Sequence, residues 1–160
     1  MRHTNDKIKR ICNFYVSDWH FTVMLLPYIS QEINKGTKIN TIFQNGIQNN
    51  IQCLLNKLNL KNKNKILQID WSNKSDTINM EDYINSNIDK ENNNIFIING
   101  TNEYIEKINE KLNKCINCFN NFEHEVKIID CYELKENDEN MYRIIKKHDS
   151  ILNTSGEQAI

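Results

Sequence analysis

The chain has 160 residues, of which 39% are hydrophobic and 26% are charged, and its formal net charge at pH 7 is −1. This is the composition of an ordinary globular domain with enough residues to bury a core, and it excludes a disordered chain. The balanced charge gives no field that would attract nucleic acid or an anionic membrane, and no apolar run reaches the length of a membrane-spanning helix. We therefore expect a soluble domain with neither nucleic acid nor membrane as a partner.

The cysteines and the first residues indicate the cellular compartment. Five cysteines, an odd number without the spacing of a disulfide framework, are typical of a reducing cytoplasm. Residues 1–7 are polar and lack the apolar segment of a signal peptide. The sequence predicts a cytoplasmic protein.

A strand followed by a capped helix opens the chain. Residues 11–16 form a short apolar run that predicts the first strand. Ser17 is a suitable N-cap, Asp18 suits the positive end of the helix that follows, and Gly36 is a suitable C-cap. Pro27 lies inside this helix and is expected to bend it, because its ring clashes with the preceding turn.

The same pattern recurs through the middle of the chain. Residues 38–43 predict the second strand, and apolar side chains at helical spacing over residues 47–58 predict the second helix. Residues 65–71 are interpreted as the third strand. A third helix is expected over residues 80–89, although its asparagines are poor helix formers.

The last third of the chain adds two more units. Residues 94–98 are the most strand-like run, and their uninterrupted apolar side chains indicate a strand buried on both faces. Thr101 precedes the longest predicted helix. Residues 126–132 predict the fifth strand and residues 139–148 the fifth helix, whereas residues 153–160 are polar and are predicted to form a flexible tail.

Five strands that alternate with five helices predict an α/β fold. The economical arrangement has three layers, with a mostly parallel five-stranded sheet covered by helices on both faces. No internal repeat or linker interrupts the pattern. We therefore predict a single domain over residues 1–152, followed by the tail.

The predicted site follows from the predicted sheet. In an open parallel sheet, ligands bind outside the carboxyl ends of the strands. The residues expected at those ends to bind a small molecule are Asp18, Asn45, Trp71, Asn99, Thr101 and Tyr132. The two aromatic rings would supply apolar contact with a polar edge, and the other side chains hydrogen bonds. The alternative is that the small polar residues only cap helices while the rings pack in the core.

Several kinds of chemistry lack their motifs. The four glycines, at positions 36, 46, 100 and 156, are not spaced for a P-loop or a dinucleotide-binding fingerprint, and no serine lies in a nucleophile elbow. We therefore expect a non-enzymatic protein without a cofactor. A small enzyme using Asp18, Asp70 and His20 remains an alternative, although no pair of base and nucleophile is evident.

The cysteines also raise the question of a metal site. Cys115 and Cys118 have redox-motif spacing, but they lie late in a predicted helix, where the helix dipole does not lower a thiol pKa. A zinc site would combine them with His124 and Cys131, at irregular spacing. We favour helix packing and predict no metal. His148 is interpreted as a favourable charge at the end of the last helix.

Four stretches of the chain carry a family resemblance. Ile-Cys-Asn-Phe-Tyr at residues 11–15 is similar to an opening H-I-C-x-F-Y strand, and residues 26–36 resemble a V-P-F-L-x-x-G-L-x-x-G helix. Residues 98–100 stand where a strand ends in T-G-E-M. Tyr132 and Glu133, followed by residues 144–148, resemble C-Q-Y-D and then L-L-x-x-L-x-x-H-P. In this order the motifs resemble the MEDS domain, the methanogen/methylotroph DcmR sensory domain, over nearly the whole chain.

This resemblance implies a RecA/KaiC-like fold without a P-loop. It also implies a sensory or regulatory module that binds small molecules, such as hydrocarbon derivatives, and works with histidine kinases, anti-sigma-type kinases or transcription regulators. The chain departs from the motifs where Arg10 replaces a histidine, Asp130 replaces a cysteine, and Thr101 and Asn102 replace glutamate and methionine.

The resulting hypothesis is a non-enzymatic sensory module. It would bind a small molecule at the strand ends and signal through a protein partner. The alternative is an adaptor or inhibitor with a degenerate nucleotide-binding fold, which would bind a kinase or a sigma-type regulator without a small ligand. An exposed apolar surface without a pocket would favour the adaptor.

Overall fold

The computed structural model describes residues 8–46, 48–119 and 123–160. They form a six-stranded sheet flanked by helices. The strands are β1 Ile8–Tyr15, β2 Lys38–Phe43, β3 Asn94–Asn99, β4 Val126–Glu133, β5 Ser150–Asn153 and β6 Gly156–Ala159. The helices are α1 Asp18–Asn34, α2 Gln48–Lys57, α3 Lys63–Leu67, α4 Met80–Asn87, α5 Asn102–Asn117 and α6 Met141–Lys146.

The sheet is mostly parallel and has helices on both faces. Its strand order is β2-β3-β4-β1-β5-β6, and only β6 runs antiparallel to its neighbour. One apolar cluster joins α1, α2 and α3 to one face, and a second joins α4, α5 and α6 to the other. The prediction of an α/β fold with a mostly parallel sheet between two helical layers is confirmed. β1 and β4 lie side by side at its centre and are paired over eight residues.

The predicted third strand, residues 65–71, is wrong. This segment begins in the short helix α3, and its buried Ile66 belongs to the apolar cluster with α1 and α2. The Trp71 indole N–H donates a hydrogen bond to the Ile66 carbonyl at 2.8 Å, which folds the segment back on itself. Within the described residues, an isolated bridge between Phe43 and Asn73 is all that pairs the following loop with β2. A short apolar run fits a strand and a buried helical turn equally well.

The end of the chain supplies the strands missing from the prediction. Residues 153–160, expected to be a flexible tail, contain the end of β5 and all of β6, which pair with each other as a hairpin. Gly156, at φ +104°, adopts the left-handed conformation that this turn requires. β5 in turn pairs with β1 in parallel. The sheet therefore has six strands rather than five.

Candidate functional site

The structure separates the two aromatic residues of the predicted strand-end site. Trp71 packs against Phe43 at a ring distance of 5.8 Å, in the cluster with α1, α2 and α3. Tyr132 lies on the other face of the sheet and stacks on Phe14 at 5.8 Å. The two rings cannot contact one small ligand across the sheet. Trp71 is a core residue in this structure.

Two further predicted residues hold the strand ends in place. Asn99 donates hydrogen bonds through Nδ2 to the Tyr15 hydroxyl at 2.7 Å and to the Cys131 carbonyl at 3.2 Å. Burial raises the pKa of Tyr15 to about 12, so this hydroxyl stays protonated at neutral pH. Thr101 is the N-cap of α5 and accepts a hydrogen bond from the Tyr104 N–H at 3.2 Å. The side chains of Asn99 and Thr101 therefore bind other groups of the protein itself.

The rim next to Thr101 is closely packed. The Gln44 side-chain oxygen accepts a hydrogen bond from the Thr101 N–H at 2.9 Å. A Cβ at Gly100 would lie only 2.6 Å from a Tyr104 ring carbon and 2.7 Å from the same Gln44 oxygen. Asp18 and Asn45, the last two predicted residues, are exposed at the beginning of α1 and in the loop after β2. The six residues therefore do not form one cleft.

A buried charged cluster lies elsewhere, on the face covered by α5 and α6. Asp130, on β4, is fully buried; its Oδ2 accepts a hydrogen bond from the Arg10 guanidinium at 3.1 Å and shares another with His148 Nε2 at 2.8 Å. Its Oδ1 accepts a hydrogen bond from Asn109 Nδ2 at 2.8 Å. We call Arg10, Asn109, Asp130 and His148 the Asp130 cluster. It places a carboxylate, a guanidinium and an imidazole together in a protein interior, where an isolated charge would be very unfavourable.

Four elements bring the Asp130 cluster together. Arg10 and Asp130 lie on the adjacent strands β1 and β4, Asn109 is on the buried face of α5, and His148 follows α6. The backbone ties the last of these to the sheet: the Arg10 N–H donates to the Asp149 carboxylate at 2.8 Å, and the Asp149 N–H donates to the Arg10 carbonyl at 2.7 Å. The end of α6 is therefore fixed directly over β1.

Both ring nitrogens of His148 are already engaged. Nδ1 lies 2.7 Å from the Ile144 carbonyl, which can only accept, so Nδ1 carries a hydrogen. The contact of Nε2 with Asp130 needs a second hydrogen, on either the imidazole or the carboxyl group. Neither nitrogen is left to take a proton from a bound molecule. The imidazole is placed to hold the cluster together.

A cleft of about 370 Å³ lies between α5 and α6 above this cluster. Arg10, Asn109 and His148 line it together with Tyr132, the one strand-end residue of the prediction that it contains. Two buried atoms of the cluster, Arg10 Nε and Asn109 Oδ1, have no hydrogen-bond partner among the described residues. Buried polar atoms are nearly always paired, so two unpaired ones beside a cleft point to a binding site.

The cluster also affects neighbouring groups. Burial, together with the negative charge of Asp130, raises the pKa of the Cys12 thiol to about 12. The same two causes raise the pKa of the Tyr132 hydroxyl, against a smaller opposite effect of Arg10. At neutral pH a protonated phenol, Tyr132, therefore lines the cleft, and the buried Cys12 thiol beneath the sheet surface is also protonated.

A second cavity, of about 450 Å³, lies beside the edge strand β2. Two of its polar side chains are joined to the surrounding backbone: the Tyr83 hydroxyl donates to the Thr41 carbonyl at 3.2 Å, and the Thr41 hydroxyl donates to the Asp70 carbonyl. One buried atom in its lining, Asn40 Nδ2, has no hydrogen-bond partner among the described residues. No buried charge is among its lining residues. We therefore take the α5–α6 cleft as the candidate site.

The proposed zinc ligands do not assemble in the described part of the chain. Among residues 8–46, 48–119 and 123–160, no three histidine, cysteine or acidic side chains are grouped as metal ligands. Cys115 and Cys131 are buried free thiols, and Cys118 is exposed. No helix within the same residues is long and apolar enough to cross a membrane.

The sequence contained a signal for the cluster that the prediction did not use. Asp130 is an acidic residue inside the apolar run of a central strand, and Arg10 is a charge directly before another such run. A charge at such a position needs a buried partner of opposite sign. The pairing itself spans 120 residues and depends on β1 and β4 being neighbours.

Comparisons of the chain with protein-family models, with curated proteins and with solved structures found no match. The class of this protein is defined by its fold and its site. It is an α/β protein with a mostly parallel sheet and a polar cleft over a buried charged cluster.

Proposed function

We propose that this protein is a cytoplasmic, non-enzymatic sensory or regulatory module that binds a small polar molecule in the α5–α6 cleft and signals through a protein partner. The observation that carries the proposal is the Asp130 cluster, which lies under the cleft with two unpaired buried atoms. Apolar residues would fill this space at less desolvation cost. A charged network of this kind is typical of sites that recognise a ligand.

The geometry favours binding over catalysis. A general base must present a free nitrogen or oxygen to the proton that it removes, and both His148 ring nitrogens face oxygens of the protein. Burial and the charge of Asp130 raise the pKa of the Cys12 thiol to about 12, so this thiol remains protonated and is a poor nucleophile. These features support a non-enzymatic role.

The resemblance to MEDS domains adds support for a sensory role and, with it, for a RecA/KaiC-like fold. Arg10 and Asp130, which both depart from the family motifs, contact each other in the cluster, and His148, which matches a motif, contacts Asp130. We infer that the ligand of this protein differs from those of the family. A histidine kinase, an anti-sigma-type kinase or a transcription regulator would be the partner.

A second candidate function is an adaptor that binds such a regulator without a small ligand. It is favoured by three exposed apolar side chains just before and within the first two turns of α1. Val16 is 61% exposed, Trp19 46% and Val23 45%. Exposed apolar side chains that lie close together are typical of protein contacts.

The experiment that tests the first proposal is NMR titration of the ¹⁵N-labelled protein with pools of polar cellular metabolites. We expect shifts of amide signals on α5, α6 and β4. Asn113 lines the cleft outside the cluster, so Asn113→Phe should fill the cleft and abolish the shifts. Lys107→Phe, at an exposed position of the same helix outside the cleft lining, is the matched control and should leave them unchanged. Shifts confined to α1, or equal in both variants, would contradict the proposal.

A further inference from the structure

The two walls of the α5–α6 cleft carry opposite charges. Glu106 and Glu110 line it from α5, and Arg143 and Lys147 line it from α6 and the residue that follows. Like charges four residues apart repel each other, so neither pair is favourable by itself. Among the described residues, none of the four takes part in an ion pair, either across the cleft or with another neighbour.

The floor of the cleft repeats this polarity. Asn109 is on α5 and is 4% exposed; both hydrogens of its amide are used, toward the Ile105 carbonyl and toward Asp130, while its Oδ1 has no partner in the described structure. An unpaired acceptor thus lies on the side of the two glutamates. Arg10, which is tied to the end of α6 through Asp149, has an unpaired Nε–H donor.

The cleft is small and partly apolar between these charged sides. Ile105 and Ile144 line it from the two helices, and the Tyr132 ring lines it from β4. Its volume of about 370 Å³ is near the lower end of the range for small-molecule sites. There is room for a compact ligand with a short apolar portion.

We propose that the cleft binds a small zwitterion of the α-amino acid class. Its ammonium group lies toward Glu106, Glu110 and the Asn109 oxygen, and its carboxylate lies toward Arg143 and Lys147. Each end then meets two charges of the opposite sign, and the ligand relieves the repulsion within each wall. This inference rests on the proposed function, since it names the class of ligand for the same cleft.

The direct test is isothermal titration calorimetry with the free amino acids as probes at fixed ionic strength. For the amino acid that binds best, the N-acetyl derivative lacks the cation and the methyl ester lacks the anion. We expect each derivative to bind at least about tenfold more weakly than the free amino acid, because each loses its charge-assisted contacts with one wall.

Charge-neutralising variants test the orientation. Glu110→Gln should weaken binding of the free amino acid and of the methyl ester, which both carry the ammonium, and should leave the affinity for the N-acetyl derivative unchanged. Lys147→Gln should weaken binding of the free amino acid and of the N-acetyl derivative, which both carry the carboxylate, and should leave the affinity for the methyl ester unchanged. Glu103→Gln and Lys135→Gln, at exposed positions outside the cleft lining, are the matched controls and should bind as the unmodified protein does.

The outcomes separate this inference from the proposed function. Equal binding of a free amino acid and either derivative overturns the zwitterion. The zwitterion is also overturned if no amino acid binds but other polar metabolites do, and if Asn113→Phe abolishes their binding. In that case the proposed function stands. If Asn113→Phe changes the binding of no ligand, both the inference and the proposed function fail.

Discussion

Replacing Asp130 by asparagine should destabilise the protein far more than the loss of one surface charge would. The fully buried carboxyl group takes part in three side-chain hydrogen bonds, with Arg10, Asn109 and His148. An asparagine keeps one oxygen, which is best placed at the Oδ2 position to serve Arg10 and His148. Its amide group then faces the amide of Asn109, and the guanidinium loses its counter-charge.

The magnitude follows from these losses. Removing one partner of a buried ion pair costs about 3–5 kcal/mol. Because the asparagine retains part of the hydrogen bonding, we expect the free energy of unfolding to fall by about 3 kcal/mol. That is a large share of a typical unfolding free energy of about 5–15 kcal/mol. It corresponds to a fall in Tm of about 6–12 °C for a chain of this size.

Urea unfolding measures the effect, and an unchanged m-value would show that the denatured state is the same. The matched control is Asp138→Asn at an exposed loop position, where a change within about 0.5 kcal/mol is expected. A double-mutant cycle with His148→Gln should show a coupling energy of about 0.5–3 kcal/mol, because the two side chains share one hydrogen bond. A loss below about 1 kcal/mol for Asp130→Asn, or strict additivity, would refute the reasoning.

Three further predictions test other parts of the structure. Trp71→Ala should lower the unfolding free energy by about 3–5 kcal/mol and leave ligand affinity unchanged, since Trp71 is a core residue; lost affinity in a folded variant would restore it to the site. Gly100→Ala should cost about 1–3 kcal/mol in a thermal melt, because its Cβ would clash with Tyr104, and an unchanged Tm would argue against the close packing. Stability should also fall as the pH rises from about 9 toward about 12, because the Cys12 thiol ionises at pH 9.0 when unfolded but only near pH 12 when folded. Cys12→Ala should reduce this loss, as measured by urea unfolding at pH 8 and pH 10; an equal loss in both proteins would contradict the assignment.

Periodicity in the sequence predicted the strands that lie inside the sheet. The predicted strand 38–43 has the same bounds as β2, and the predicted strand 94–98 falls within β3, because uninterrupted or alternating apolar runs have few other stable arrangements. The strand prediction for residues 65–71 was wrong because a segment that packs beside the sheet can be as apolar as one inside it. The prediction of a flexible tail over residues 153–160 was wrong for the opposite reason, since an edge hairpin can be polar and still be held by backbone hydrogen bonds.

The candidate site was less predictable than the fold. The rule that ligands bind at the carboxyl ends of parallel strands uses topology alone. It predicted Thr101 as a ligand-binding residue, whereas the Thr101 side chain caps a helix. The Asp130 cluster depends on contacts between residues that are far apart in sequence, which no local pattern encodes. A search for charges inside apolar strands would have found Asp130, although not its partners.

The position of β5 beside β1 has a consequence for how the protein is made. The Asn13 amide on β1 donates a hydrogen bond to the Leu152 carbonyl on β5, and 139 residues separate the two. During synthesis β1 leaves the ribosome long before β5, as do the partners of His148. Until nearly the whole domain has emerged, one edge of the central strand β1 is therefore unpaired. Over the same period Asp130 lacks its partner His148. This domain should therefore complete its folding only once β5 has been synthesised.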